Sequence, residues 1–420
     1  MAKLRRVVLA DDLTGANDAG VHFLLGDQDV VVAVDGLQND LSVDAETVVI
    51  NTNSRLCDGR EAYRRVADSL GPLSSQKGLQ LFKKVDSTLR GNVGAEIDAL
   101  MDSGRFTVAC LAPATPRNGR SVENGVCYVN GKPLDQTEMA ADPFTPVCSA
   151  KVREILAAQS SRNVGALPLG TIRGEQAKAL VEVQALIAGG TEILIADSTT
   201  TEDLQAVARI FAELGDSVLY VGSAGLFHAM AQGAEVRSSY VANPEAKALF
   251  VVGSLMGTTA EQIDLLKSRR GVASFTLGKA GTPEEVVQLV DRTASGIHEA
   301  FLDGPLVSLE TDRVFAGTPT DGDAIGRTIG QTVGAALEYG GVDALVVTGG
   351  DTALQVLTAL GVRQLRLIAE ALPGVPVANI ELKDGSSIVF ISKAGSYGDA
   401  DAFCQVTDYL TGSQYGRSYS

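Results

Sequence analysis

The chain has 420 residues, of which 45% are hydrophobic and 20% charged, so its composition is that of a folded globular protein long enough for two domains. Its net charge of −16, without any stretch dense in lysine and arginine, argues against nucleic acid or an anionic membrane as partner and favours small molecules. The five cysteines are widely spaced and form no CxxC pair, which argues against a disulfide framework or a structural zinc site.

The first half of the chain alternates apolar β-branched stretches with helix-like stretches. The predicted strands are RRVVLA, DVVVAV, TVVINT, LQLFKKV and FTVACLAP. The helices predicted between them begin near Ala16, in REAYRRVADSL and around AEIDALM. Repeated strand–helix–strand units predict a parallel sheet with helices on its faces, and ligands of such folds bind at the carboxyl ends of the strands.

The alternation breaks between Pro113 and Val147, where the sequence is polar and rich in turns. Asn130-Gly131 predicts a two-residue hairpin turn within this excursion. Excursions of this length are usually lids, binding loops or dimer contacts, so this one is a candidate surface for a homodimer. The α/β alternation then resumes in EILIADS and LYVGSAGLFHAM.

A stretch with little apolar periodicity and one proline, between Gln232 and Ala246, predicts a linker. We therefore expect an N-terminal domain over residues 1–235 and a C-terminal domain over residues 247–420. Two aspartates interrupt the apolar run of MAKLRRVVLADD, which predicts neither a signal peptide nor a membrane span, and we expect a cytoplasmic protein.

Charged side chains follow the first and third predicted strands. Asp11 and Asp12 are adjacent carboxylates, which repel each other unless a cation or a polar ligand lies between them. Acidic residues also simply favour a helix N-terminus, and that explanation accounts well for Asp18. Arg55 in NTNSR could clamp a carboxylate, although on its own a surface arginine is the better explanation.

Cations and hydroxyl groups are concentrated in KKVDSTLRGNVGAEI, after the fourth predicted strand. The polar side chains of this motif are Lys83, Lys84, Asp86, Ser87, Thr88 and Arg90. They suit a small polyhydroxylated anion, because arginine and lysine pair with a carboxylate while aspartate and serine bond to hydroxyls. A solvated helix start capped by Ser87 or Thr88 explains the motif equally well.

Three glycine-rich turns follow apolar strands in the last 175 residues, in GSLMGTT, TGGDTA and KAGSYGD. Backbone N–H groups and the helix dipole at such junctions bind phosphate, and glycine permits close approach. Thr258 and Glu261 fit a capping box, which explains the first motif alone. Three such turns in one domain indicate a nucleotide, while the absence of GxGxxG and GxxxxGK[ST] argues against a Rossmann dehydrogenase and a Walker-type ATPase.

Over nearly its whole length, the chain resembles the four-carbon acid sugar kinase family. The resemblance rests on the combination of ADDLTGANDAG, KKVDSTLRGN, the excursion and the three glycine turns. The resemblance implies two doubly wound α/β domains with largely parallel sheets, and a sugar acid and ATP bound in the cleft between them. It implies phosphorylation of the terminal hydroxyl of D-threonate, D-erythronate or a 3-oxo-tetronate. The wording of DSTLRGN and ANDAG is closest to D-threonate kinases, and Met139 stands where an aromatic residue is expected.

The resemblance also implies roles for single residues. The expected acid-binding residues are Asp12, Arg55, Lys84, Asp86, Ser87, Thr88 and Arg90. The expected contacts to ATP, with Mg²⁺, are Ser254, Gly349, Gly350, Asp351, Thr352, Lys393 and Gly395. Asp351 is the first candidate for the catalytic base or the acid that orients the metal, and Asp86 is the second; the metal ligands stay unassigned.

Two functions of other classes remain open at this point. A non-catalytic sensor of sugar acid and nucleotide would keep the N-terminal site without needing all three phosphate turns. A phosphatase with a DxDxT loop would place aspartates after the first strand, but alternate aspartates are needed there and Asp11 and Asp12 are adjacent.

Overall fold

The computed structural model describes residues 4–25, 28–36, 44–73, 78–142, 144–231, 236–254, 256–278, 282–311, 319–395 and 397–413. The chain divides into two compact units, residues 1–236 (unit 1) and 237–420 (unit 2). In the described ranges, no helix combines the length and the apolar character that crossing a membrane requires.

Unit 1 contains a parallel sheet with helices on its faces, as the alternation in the sequence predicts. Its strands are β1 (Arg6–Ala10), β2 (Val30–Ala33), β3 (Thr47–Asn51), β4 (Gln80–Lys84), β5 (Val108–Ala112), β6 (Arg120–Glu123), β7 (Val126–Val129), β8 (Lys132–Pro133), β9 (Val164–Leu167), β10 (Ile193–Ala196) and β11 (Val218–Gly222). The large sheet has the order β2-β3-β1-β4-β11-β5-β10-β9, with parallel neighbours throughout. Strands β1, β5 and β10 are almost wholly apolar, as expected for strands covered on both faces.

The helices of unit 1 are α1 (Leu13–Val21), α2 (Gly59–Leu70), α3 (Val93–Met101), α4 (Val152–Ala157), α5 (Leu169–Ile172), α6 (Gln176–Ala188), α7 (Thr201–Ala212) and α8 (Ala224–Met230). Helix α1 begins three residues before the predicted start, because the Asp12 carboxylate accepts a hydrogen bond from the Gly15 N–H and caps the helix. Helices α2 and α3 supply Val66 and Ile97 to the core on one face of the sheet. The ring of Phe82, on β4, packs against the rings of Phe23 and Phe227.

The excursion between Pro113 and Val147 is packed into unit 1. It forms the antiparallel strands β6, β7 and β8, and positive φ angles at Asn130 (49°) and Gly131 (77°) confirm the predicted hairpin turn. The side chains of Cys127, Leu134, Met139 and Val147 are buried in the unit 1 core. This burial argues against a freely hinged lid, whereas the dimer surface stays a prediction.

Unit 2 contains a second sheet, in which a parallel part is extended by an antiparallel meander. Its strands are β12 (Ala248–Val252), β13 (Ala273–Leu277), β14 (Leu306–Thr311), β15 (Ala344–Thr348), β16 (Gln364–Leu372), β17 (Val375–Glu381) and β18 (Ser387–Lys393), in the order β13-β14-β12-β15-β18-β17-β16. Strand β17 pairs antiparallel with both of its neighbours. The helices are α9 (Gly257–Arg270), α10 (Pro283–Asp303), α11 (Pro319–Glu338), α12 (Gly350–Leu360) and α13 (Ala402–Thr411).

The end of the predicted linker is bound to unit 2. Tyr240 stacks on Tyr409 of α13, with 4.9 Å between ring centroids, and its hydroxyl donates to the Leu410 carbonyl. The N–H groups of Ser239 and Asn243 donate to backbone carbonyls of β16 and α13. Unit 2 therefore begins at residue 237, ten residues before the predicted start.

Glycines on α11 allow it to lie close against α12. A Cβ atom on Gly330 would lie 2.6 Å from the Gln355 carbonyl oxygen, closer than side chains approach backbone. One turn further along the same helix, a Cβ on Gly334 would meet only Leu360, at 4.0 Å. A side chain added at Gly330 therefore tests the close packing of the two helices, whereas one added at Gly334 tests helix propensity alone.

We predict opposite effects for the same substitution at these two positions. Gly334→Ala should raise the free energy of unfolding by up to about 1 kcal/mol, because alanine favours helix. Gly330→Ala should lower it by about 1–3 kcal/mol, because the methyl group forces the helices apart. Urea unfolding followed by circular dichroism measures both, and equal stability of the two variants would contradict the packing described.

Candidate functional site

The predicted polar residues of unit 1 lie at the carboxyl edge of its sheet. Ala10, the last residue of β1, is in register with Asn51 of β3 and Lys84 of β4. The segments that follow these three strands therefore begin at the same level. They carry Asp11 and Asp12, Arg55, and the motif from Asp86 to Arg90.

Arg55 bridges the two adjacent aspartates. Its Nε and Nη2 donate to the Asp11 carboxylate at 2.8 and 3.0 Å. Its Nη1 and Nη2 donate to the Asp12 carboxylate, both at 2.7 Å. The cation that the sequence requires between Asp11 and Asp12 is thus a residue of the chain, and we call these three side chains the Arg55 bridge.

Charges around Asp11 keep its carboxyl group ionised. Burial alone would raise the pKa of Asp11, but the positive charges of Arg55 and Lys83 outweigh it and hold the pKa below its usual value. The same carboxylates raise the pKa of Arg55, against the effect of its burial. The bridge is therefore a charged, hydrogen-bonded unit.

The backbone that carries Arg55 is held by residues of the DSTLRGN motif. The Asn92 side-chain amide donates to the carbonyls of Ser54 and Cys57 at 2.9 and 2.8 Å. Gly91 has φ +84°, and a Cβ there would lie 3.0 Å from Arg55 Cγ. Sequence reasoning missed Asn92, because its partners lie 35 and more positions away in the chain.

Asp86 and Arg90 form a second ion pair at this edge. Arg90 Nε donates to Asp86 Oδ2 at 2.7 Å, and the Thr88 hydroxyl donates to the same oxygen. Enclosure raises the pKa of Asp86, but Arg90 and Arg55 outweigh it and hold the pKa well below its usual range. Arg90 Nη1 also reaches Asp142 of the excursion, at 3.2 Å, a residue that sequence reasoning did not include.

Lys84 lies on the α1 side of β4, beside the start of that helix. Its ammonium group is buried and donates to the Val85 carbonyl at 3.0 Å. A Cβ on Gly15 would lie 2.8 Å from this ammonium and 2.4 Å from Asp12 Oδ1. Glycine at position 15 thus allows Lys84 and Asp12 to approach each other. Ser87, three residues after Lys84, is also buried.

The predicted nucleotide residues of unit 2 also share one edge. Val252, Thr348 and Lys393 end β12, β15 and β18 in register. A Cβ on Gly395 would lie 2.1 Å from Ser254 Oγ. The structure therefore brings the turns after β12 and β18 into direct contact.

The turns after β12 and β15 are in contact as well. A Cβ on Gly253 would lie 2.0 Å from Thr352 Oγ1, so only glycine fits there. Gly349 has φ +92°, and its position as the residue before α12 places Gly350 and Asp351 in the first turn of that helix. The structure thus brings together Ser254, Thr352 and the paired glycines.

Helices α9 and α12 begin without a side-chain cap among the residues described. The expected capping box of Thr258 and Glu261 is wrong, because α9 starts at Gly257 and Thr258 is already inside it. Glycine at the cap position of α12 has no side chain to offer. Two helix N-termini on neighbouring strands therefore present backbone N–H groups suited to an anion.

Lys393 is directed into the core. It is 1% exposed, and its Nζ donates to the carbonyls of Ala394 and Tyr397, both at 2.9 Å. Burial lowers its pKa to about 8. Thr259 and Gln262 of α9 donate to further carbonyls of the same turn. The structure therefore places the ammonium under the glycine turn, where it organises the backbone.

Within the described ranges, no group of three or more histidine, cysteine, aspartate or glutamate side chains could hold a metal ion. Asp351 is an exposed carboxylate at the start of α12, beside the uncapped N–H groups.

Comparison with known families assigns a type to each unit. Residues 6–230 match the model of a sugar-binding N-terminal domain, and residues 249–403 match that of a nucleotide-binding C-terminal domain.

Relatives over the full length are kinases. A D-threonate kinase of Salmonella typhimurium is 30% identical, with 97% of this chain and 98% of the relative covered. A D-erythronate kinase of Heliobacterium modesticaldum is 30% identical, with 96% of each chain covered. A 3-oxo-tetronate kinase of Burkholderia multivorans is 30% identical, with 96% of this chain and 97% of the relative covered.

Solved structures confirm the fold. A protein of Salmonella typhimurium LT2 superimposes with a TM-score of 0.79 at 22% identity, covering 96% of this chain and 98% of that chain. A Haemophilus influenzae protein gives a TM-score of 0.73 at 22% identity, covering 96% and 100%.

The burial of Lys393 predicts a pH dependence of stability. Its pKa is about 8 when folded and 10.5 in the reference state, so below pH 8 the fold bears the cost of a buried charge. The free energy of unfolding, relative to Lys393→Met, should rise between about pH 8 and pH 10.5 by up to about 3 kcal/mol. Urea unfolding across this range measures it, with exposed Lys383→Met as the control. If the difference in unfolding free energy between wild type and Lys393→Met does not change with pH, the burial of this ammonium is contradicted.

Proposed function

We propose that this chain, which belongs to the four-carbon acid sugar kinase family, transfers the terminal phosphoryl group of ATP to the C4 hydroxyl of D-threonate. The chain is a phosphotransferase with an alcohol acceptor and a nucleotide-binding domain. The sequences of the DSTLRGN and ANDAG motifs favour D-threonate, and D-erythronate and a 3-oxo-tetronate are the alternatives. The observation that carries the acid site is the Arg55 bridge beside the Asp86–Arg90 pair, at one sheet edge.

In unit 1, Arg55, Lys84 and Arg90 would attract the carboxylate of the acid, while Asp12 and Asp86 would accept hydrogen bonds from its hydroxyls. Arg55 already uses four of its N–H donors on the two aspartates, which leaves one on Nη1 for a ligand. Ser87 and Thr88 complete the hydroxyl-binding group. The low pKa of Asp86 favours an acceptor that orients a hydroxyl over a base that removes its proton.

In unit 2, the N–H groups at the starts of α9 and α12 would bind the phosphates of ATP. Ser254, Gly349, Gly350, Thr352 and Gly395 shape the turns that bring these N–H groups together. Mg²⁺, when bound with ATP, supplies positive charge to the transferring phosphoryl group. A single carboxylate together with nucleotide phosphates is a usual ligand set for Mg²⁺, and Asp351 fits that role.

Lys393 would contribute through the turn it supports. Its two hydrogen bonds to the Ala394 and Tyr397 carbonyls flank Gly395. Direct contact with phosphate would require this ammonium to leave both carbonyls and the face of Phe403, 5.5 Å away. The burial therefore favours Lys393 as a positioning residue for the turn.

Release of ADP from Mg·ATP tests the function with the purified protein. The acceptors are D-threonate, L-threonate, D-erythronate, L-erythronate and a 3-oxo-tetronate. We expect the highest kcat/KM with D-threonate. A higher value with another acid would reassign the substrate within the family, and silence on all five despite ATP binding would contradict a four-carbon acceptor and leave the sensor function.

Replacement of Asp351 separates catalysis from nucleotide binding. Asp351→Asn removes the charge at the start of α12 and keeps the size of the side chain, so ATP affinity should change little. Loss of a base or metal-orienting carboxylate should lower kcat by about 100-fold or more. Steady-state kinetics and calorimetric ATP binding measure the two effects, with Glu338→Gln at the far end of α11 as control. Near-normal turnover would remove Asp351 from the mechanism.

A further inference from the structure

A buried ion pair lies beneath the acid site of unit 1 and takes no part in the proposed chemistry. Lys83 and Glu96 are both wholly buried, with 3.0 Å between Nζ and Oε2. Lys83 precedes Lys84 on β4, so the two ammonium groups lie on opposite faces of the sheet. A buried ion pair generally contributes little to stability, because desolvation of the charges offsets their attraction.

The pair is connected to the loop that carries Arg55. The Ser54 hydroxyl donates to Glu96 Oε1, and its oxygen lies 2.7 Å from the Thr52 hydroxyl. Because the Ser54 hydrogen is used on Glu96, the Thr52 hydroxyl donates to Ser54 Oγ, and the Thr52 backbone N–H donates to the Ala10 carbonyl, at the end of β1. Glu96 therefore holds the residue immediately before Arg55 and links it to the strand that leads into Asp11.

The start of α3 holds this loop at two points. Asn92 is the residue immediately before α3, and Glu96 lies in the first turn of that helix, four residues later. Asn92 binds the carbonyls of Ser54 and Cys57, while Glu96 binds the Ser54 hydroxyl. Asn92 makes no side-chain cap to its own helix, which leaves its amide for the loop.

Lys83 acts on two carboxylates. Its charge lowers the pKa of Asp11, second to Arg55 among the charged groups, and it also lowers that of Glu96. Burial, aided by the charge of Asp11, nevertheless raises the pKa of Glu96 above its usual value. If Glu96 loses its charge, Asp11 is the remaining carboxylate on which the charge of Lys83 acts. Lys83 then competes with Arg55 for the Asp11 carboxylate.

We propose that Lys83 and Glu96 are positioning residues that fix the Arg55 bridge in the geometry that binds the sugar acid. The proposal rests on the acid site assigned to unit 1 under the proposed function. According to this proposal, the Lys83–Glu96 pair determines the affinity for the sugar acid and not the stability of the fold.

Three variants test the balance of charge. Glu96→Gln keeps an oxygen for the Ser54 hydroxyl but leaves Lys83, which also donates to the Lys84 carbonyl at 2.7 Å, without its carboxylate partner. Lys83→Met with Glu96→Gln removes both charges and keeps the same oxygen. Glu154→Gln, on the exposed Lys151–Glu154 pair, is the matched control.

Two readouts are measured for each variant. The first is steady-state kinetics with the acid that the wild type uses. The second is hydrogen exchange of the Ser54 and Arg55 amides, which donate to the Asp11 carbonyl at 3.0 and 3.2 Å and report on the loop without substrate. Urea unfolding shows that each variant is folded.

We expect Glu96→Gln to raise KM for the acid by about tenfold or more with KM for ATP unchanged, because small misplacements of binding groups have large effects. The Ser54 and Arg55 amides should exchange faster. The double variant should recover most of the affinity and of the protection, although it lacks both charges.

Unchanged KM and exchange in Glu96→Gln would overturn the proposal. So would equal increases of KM for acid and ATP, or a double variant worse than Glu96→Gln in both readouts. If the wild type phosphorylates none of the acids, the proposed function fails. Faster exchange in Glu96→Gln that the double variant reverses would then still support the positioning role.

Discussion

The contact between one guanidinium and two adjacent carboxylates is the constraint on which unit 1 depends. Asp11 and Asp12 follow β1, Arg55 lies in the loop after β3, and their ion pairs join the ends of these strands at the edge of the sheet. Gly91 and Asn92 contact the backbone around Arg55, and Glu96 binds the side-chain hydroxyl of the preceding Ser54. A site for a small acid made of charged groups requires such support, because each charge would otherwise pair with its nearest neighbour or with water.

Under the proposed function, the two units would bind their anions differently. Unit 1 would use side-chain cations, of which Arg55 and Arg90 are paired with carboxylates that could also accept hydrogen bonds from the hydroxyls of an acid. Unit 2 would use backbone N–H groups at helices without a side-chain cap, and its lysine lies beneath them. Backbone donors are fixed in direction and independent of pH, which suits phosphates that must be aligned for transfer.

Much of this arrangement could be predicted from the sequence, and the rest depends on tertiary contacts. Apolar β-branched runs identify β1 to β5, and the resemblance of the motifs identifies the family. The partners of Arg55 lie 43 and 44 residues away, so no local pattern reveals that it bridges Asp11 and Asp12. The burial of Lys393 and the failed capping box at Thr258 likewise follow from how α9 and its neighbours pack, which spacing does not specify.

The glycine turns of unit 2 interlock, since Thr352 fills the space beside Gly253 and Ser254 fills the space beside Gly395. Each glycine is therefore one half of a complementary pair whose other half lies in a different turn. A larger residue at position 253 is tolerable only together with a smaller one at 352, so these positions are constrained to change jointly during evolution. The three turns can diversify as a set, but hardly one at a time.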